Sequence, residues 1–428
     1  MKRLPRAPWK FWDRNQASPK RRVHLGIDYG TSASKIVFRD YGAPRGETAV
    51  LIPRNGSVLI PSRVCMSATE LLFGDNTKTN GEYEIYESLK MRVAAEVSGN
   101  PKYHSGSTTL PQGFTAADLA ALTVWFLISE GQRAAAAQFD GRLEGVEIGM
   151  TMGVPLPFFN DGELKASFLG IARRAWSFYC NEGLLDSALS IERALRVLAK
   201  HQVVLLPIPD QEGREWIRCE GEASNWLVLH SPIGIGPFAK VDIGAGTTHT
   251  SLFRVFGKLR TPKRSLAPFG AAAVPIGMDA VDRAIAECEG LNTDCLVLRG
   301  SEASILQANA KVHGALVPVR KHIYDSYRKA WSEVSAKLSS NALELIAWRQ
   351  HKVVVIGGGS LLPLLVDTFR THPDHQEPLS VLTLEQPTDL VRADRRKIPS
   401  EELPFVAVAY GLSQLESHLP NPYCRDPG

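Results

Sequence analysis

The tightest constraint on this chain is a motif that occurs twice. Gly26-Ile27-Asp28-Tyr29-Gly30-Thr31-Ser32-Ala33-Ser34-Lys35 and Val241-Asp242-Ile243-Gly244-Ala245-Gly246-Thr247-Thr248-His249-Thr250 each place an aspartate at the end of an apolar run. Glycine and hydroxyl residues follow it in both. The flanking runs, 23–28 with 35–39 and 238–243 with 248–256, read as strands, so each motif is a hairpin turn. A phosphate chain needs several backbone N–H groups converging on it. Glycine permits that close approach, and Thr and Ser add donors without bulk. The aspartate repels phosphate but can hold the water shell of a bridging Mg²⁺. A single D-x-G-T is more often an ordinary turn; two copies on matching strand–turn–strand units favour a triphosphate clamped from both sides.

A third element follows. The apolar run 353–356 leads into Gly357-Gly358-Gly359-Ser360-Leu361-Leu362-Pro363 and then a helical segment, an arrangement that suits a nucleotide. No G-x-x-x-x-G-K-[ST] is present, and no G-x-G-x-x-G follows the first strand, which disfavours the P-loop and dinucleotide folds.

The chain has 428 residues, long enough for two large domains. Strand and helix patterns alternate, which predicts an α/β fold. Thr115 to Asp118 forms a capping-box start for a helix reaching about residue 137. Helices are also expected at 279–289, 317–348, 361–370 and 401–417. The expected organisation is a basic tail (1–22), a first lobe (23–235), a second lobe (236–402), and a hinge helix returning to the first lobe with a C-terminal tail (403–428).

Apolar residues at 44% and charged residues at 22% fit a globular chain. The longest apolar stretch, near 119–128, is too short to cross a bilayer. No secretory signal is read at the N-terminus, and none of the six cysteines forms a C-x-x-C pair. Together these predict a cytoplasmic protein with isolated thiols. Residues 1–22 carry +7 against +4 for the whole chain, so the remainder stands at −3. With Trp9, Phe11 and Trp12, this tail suits an anionic membrane, nucleic acid or an acidic protein. It reads equally well as a solvated leader.

These motifs, in this order, resemble the superfamily of actin, DnaK-type chaperones, MreB and sugar kinases, over nearly all of residues 23–417. The DnaK-type branch is resembled further by Ile60-Pro61-Ser62-Arg63-Val64 with Phe73-Gly74-Asp75, by Leu89-Lys90-Met91-Arg92, by Val154-Pro155 with Phe159-Asn160-Asp161, and by Ile276-Gly277-Met278-Asp279. The resemblance implies a two-lobed actin-like ATPase fold: duplicated ribonuclease-H-like lobes around a central cleft that holds ATP and Mg²⁺. It implies Asp28 and Asp242 as the Mg²⁺-water carboxylates. Gly30, Thr31, Ser32, Lys35, Gly244, Ala245, Gly246 and Thr247 would hold phosphates, and Gly357, Gly358, Gly359 and Ser360 the adenosine. Lys90 would reach the γ-phosphate, and Glu220 and His249 would orient the attacking water.

The sequence also departs from the family. Gly221 replaces a proline after Glu220, and Glu222 is a competing register. His249 stands where chaperones carry Asp, although Thr248-His249-Thr250 matches actin. Leu361 replaces the arginine that stacks on adenine, which leaves the base open. Lys90 reads equally as a solvated helix lysine, and His249 as a core histidine. The resemblance implies a DnaK-like, slow ATPase switch that works through a partner protein, without a peptide-binding domain. An actin-like filament subunit, a small-molecule kinase and a nucleotide-binding pseudo-ATPase are the other readings.

Overall fold

Both hairpins form. The computed structural model describes residues 21–42, 47–74, 83–100, 103, 109–111, 113–141, 146–201, 216–257, 265–290, 310–374 and 377–414. Most of the basic tail (1–20), Asp75 and the residues beyond 414 lie outside these. Arg21–Asp28 (β1) pairs antiparallel with Ala33–Asp40 (β2), ending on Asp28 opposite Lys35. Thr48–Leu51 (β3) continues antiparallel beside β2. On the other side of β1, Val146–Val154 (β4) and then Ile217–Cys219 (β5) add in parallel.

The second sheet repeats that pattern. Gly236–Ile243 (β6) pairs antiparallel with Thr248–Phe256 (β7), which pairs antiparallel with Ser265–Val274 (β8). Lys352–Gly357 (β9) and Val381–Leu382 (β10) add in parallel beyond β6. The chain then rejoins the first sheet, where Leu390–Arg392 (β11) pairs parallel with β3. A smaller sheet joins Glu84–Tyr86, Val64–Met66, Glu70–Phe73 and Ala188–Ser190. The molecule is thus mixed α/β.

Strands flanked by parallel partners are covered on both faces. In β1, Val23, Leu25 and Ile27 enter the first core, while Gly26 lies against a helix backbone on the other face. That first core is shared with helices Ala116–Gln138 and Gly162–Glu182. The capping box forms as expected: Thr115 Oγ1 accepts from Asp118 N–H, and Asp118 accepts from Thr115 N–H. Helices Met278–Glu289 and Ala310–Lys337 pack over the second sheet.

Two helical expectations change. The segment read as one helix over 317–348 is two, Ala310–Lys337 and Ala342–Arg349, because Asn341 caps a new start by accepting from Glu344 N–H at 3.1 Å. The glycine-rich turn forms a 3₁₀ turn, Gly358–Leu361, before a short helix, Pro363–Thr368, that opens on its proline.

Two helices cross between the sheets: Glu220–His230 (α1) and Leu403–Leu412 (α2). Their residues Leu227, Val406 and Tyr410 share one core with Val37 and Leu51 of the first sheet and Phe238 and Ile356 of the second. At the crossing, a Cβ on Gly411 would overlap the Ala223 backbone. Only glycine there allows this separation. No helix among the described residues is long and apolar enough to cross a membrane.

Two buried histidines tie this fold to pH. His24 Nε2 meets Thr151 Oγ1 at 2.9 Å. His351 Nδ1–H donates to the Trp348 carbonyl at 2.6 Å, and its Nε2 accepts from the Tyr327 hydroxyl. Burial first, and neighbouring cations second, hold His24 down to about 3. Burial chiefly holds His351 down to about 4. Both rings fold neutral, so only the unfolded chain takes their protons below its ordinary value of 6.5. Their stabilisation is complete above that value. It is lost as pH falls toward 4, by at most about 1.4 kcal/mol per pH unit for each ring. A variant carrying His24→Gln and His351→Gln is therefore expected to lose less of its urea midpoint between pH 7 and pH 5 than the wild type, the other titrating groups being common to both. An equal loss in the two proteins would refute the assignment.

Candidate functional site

The two repeated turns face each other across one cavity of about 460 Å³. Asp28, Gly30, Thr31, Ser32 and Lys35 line it from the first turn, and Asp242, Gly244, Ala245, Gly246 and Thr247 from the second. The turns nearly touch: a Cβ on Gly246 would stand 3.2 Å from Thr31 Oγ1 and 3.0 Å from Met91 Sδ. Asp28 ends its strand and Asp242 lies one residue before the end of its own, and both line the cavity beside the hairpin partner that runs back from the turn.

The cavity is strongly charged. Lys35 Nζ donates to Asp28 Oδ2 at 3.0 Å, directly across the first hairpin. Lys90, only 2% exposed, donates to Glu220 Oε1. Lys90 is therefore a buried cavity cation rather than a solvated helix lysine. Glu220 is the first residue of α1 and lines the cavity, whereas Glu222 is not among the lining residues. Burial raises Glu220 to about 7, with Lys90 opposing and Asp28 reinforcing the rise. Asp242 is raised in the same way, by burial first, with Lys240 opposing and Asp28 adding to it. Three carboxylates so close together remain charged more readily when cations accompany them.

His249 stands beside the main cavity rather than in it. It lines an adjoining space of about 30 Å³ with Glu220, Asp242, Thr247 and Pro155, room for one water. Its Nδ1 is buried without a hydrogen-bond partner. Burial, and then the charge of Lys240, push the ring well below its ordinary value, so it is neutral. His249 lies opposite Asp242 in the β6–β7 register. A Cβ on Gly221 would overlap the imidazole ring. Glycine after Glu220 and histidine in the second turn thus fit together sterically.

The glycine-rich turn contributes in part. Gly357 and Gly358 line the cavity with Leu361 and Leu362. Gly359 is buried against Ile243, and Ser360 Oγ donates back to the Gly357 carbonyl at 2.7 Å. Neither faces the cavity.

One residue escaped the sequence reading. Lys240 is fully buried, and its Nζ donates to the Gly221 carbonyl at 2.5 Å and to Ser224 Oγ. It ties β6 to the first turn of α1, beside Glu220. Ser251 Oγ adds a bond to Asn225 Oδ1 at 2.9 Å on the same helix. The available signal was a lysine inside an otherwise apolar strand, since lysine is almost never fully buried without partners. Burial lowers this lysine to about 8.

The arrangement fits a magnesium triphosphate. Three carboxylates, two lysines and two glycine-containing turns converge, and the cradle at Gly246 would be filled by any side chain. No protein-family model matches the chain, and a search of the curated proteins finds no match.

The contact between Gly221 and His249 can be tested by a double-mutant cycle. Gly221→Ala is expected to destabilise the protein by about 1–3 kcal/mol through overpacking. In the His249→Ala background the same change should cost much less, because the ring is gone. Urea denaturation of the four proteins measures the coupling. Equal costs in both backgrounds would mean that ring and glycine do not pack together.

Proposed function

We propose that this protein is a Mg²⁺-dependent nucleoside-triphosphate switch of the actin and DnaK-type superfamily, hydrolysing ATP slowly and signalling to a partner protein. The observation that carries this reading is the meeting of both Asp–Gly–Thr turns, one from each large sheet, on a single cavity. The repeated pairing pattern of the sheets supports duplicated ribonuclease-H-like lobes. The crossing of α1 and α2 between them supports a hinge.

In this reading the backbone N–H groups of residues 30–32 and 244–247 bind phosphate oxygens. Lys35 and Lys90 neutralise the terminal phosphate. Asp28 and Asp242 would hold Mg²⁺ through its waters, and the ion, when bound, supplies charge neutralisation across the phosphates. Glu220 and His249 position a water in the adjoining space. Such positioning, rather than covalent chemistry, dominates phosphoryl transfer. The lysines are paired with Asp28 and Glu220, so a terminal phosphate competes for Lys90 and releases Glu220 toward the water. Loss of that phosphate removes what both turns hold in common and permits the hinge to open.

Asp28→Ala and Asp242→Ala are each expected to weaken Mg²⁺-ATP binding by about 10–100-fold, the usual effect of removing a group that orients a metal's ligands. Isothermal titration calorimetry checks this. Wild-type affinity in both variants would sink the site assignment.

A further inference from the structure

The cavity wall divides by chemistry. Every charged side chain on it belongs to the turns or to the Lys90–Glu220 pair, among the described residues. Beyond the turns, the remaining side chains on it are apolar, Leu59, Leu361, Leu362, Pro404, Phe405 and Val408 among them, while Gly357 and Gly358 add backbone alone. Leu362 and Val408 are buried, whereas Leu361 stands 46% exposed at the rim. Ser360, the polar residue nearest in sequence, is turned away onto the Gly357 carbonyl.

We propose that this apolar part grips the base of a nucleoside triphosphate by its faces, so the site takes adenine and guanine nucleotides alike. The inference rests on the nucleotide reading of the preceding section and specifies its substrate class. Adenine and guanine present nearly the same ring area but opposite hydrogen-bonding edges. Adenine offers an amino group and a ring acceptor where guanine offers a carbonyl and a ring N–H. Telling them apart requires buried donors or acceptors that go unpaired with the wrong base, and such sites discriminate by about 10⁴-fold or more. Leucine, proline and phenylalanine side chains offer none. They reward ring area through dispersion and burial, which the two purines supply equally. A pyrimidine supplies less.

Calorimetry of the full chain with Mg²⁺ and, separately, ATP, GTP, CTP and tripolyphosphate tests this. ATP and GTP are expected to have Kd values within about tenfold of each other, with CTP weaker than both. Leu361→Ala should weaken ATP and GTP by one common factor of about 3–10 and leave tripolyphosphate unchanged. A preference above about tenfold for either purine overturns the inference while leaving the triphosphate site standing. Equal binding of all three nucleotides and tripolyphosphate also overturns it, because the base would then make no contact. If neither tripolyphosphate nor any nucleotide binds, the site reading falls and this inference falls with it.

Discussion

Two helices that cross almost backbone to backbone hold this molecule together. Gly411 of α2 lies against the Ala223 backbone of α1 so closely that no side chain fits between them. This approach sets how near the two large sheets can come. Their hairpin turns reach one cavity because the crossing is thin. The surrounding contact is apolar, with Leu227, Phe238 and Tyr410 among its members, and such interfaces resist gradual deformation.

Against that apolar joint lies a polar one. Lys240 and Ser251, on the face of the second sheet that carries Asp242 and His249, bond to the first two turns of α1. Glu220 begins that helix, so its position depends on the same seam. The cavity combines three carboxylates with Lys35 and Lys90, each lysine held by one of them. A polyanion entering such a site exchanges one set of charge pairs for another rather than meeting bare cations, which lowers the cost of keeping the site ready.

Much of the candidate site is legible in the sequence. The turns announce themselves because glycine and hydroxyl residues after a strand-end aspartate are a local signature. Hairpin pairing and the capping box at Thr115 are likewise local. The fate of Gly359 and Ser360 was not legible, since a run of three glycines does not say which will face outward. Leu361 and Leu362 reach the cavity instead because the run coils into a 3₁₀ turn. The break near residues 338–341 was hidden by continuous helical propensity on either side of Asn341.

By itself, the sequence determined the two turns, their strand contexts, the carboxylate at the head of each, and the α/β alternation. All of these follow from neighbours along the chain. Only the tertiary structure decided that Lys90 meets Glu220 across 130 positions, that Gly221 makes room for His249, and that Lys240 is buried against α1. Those pairings depend on how closely two sheets approach through a pair of crossing helices. No local pattern encodes that distance, because backbone contacts and the shape of a shared core set it.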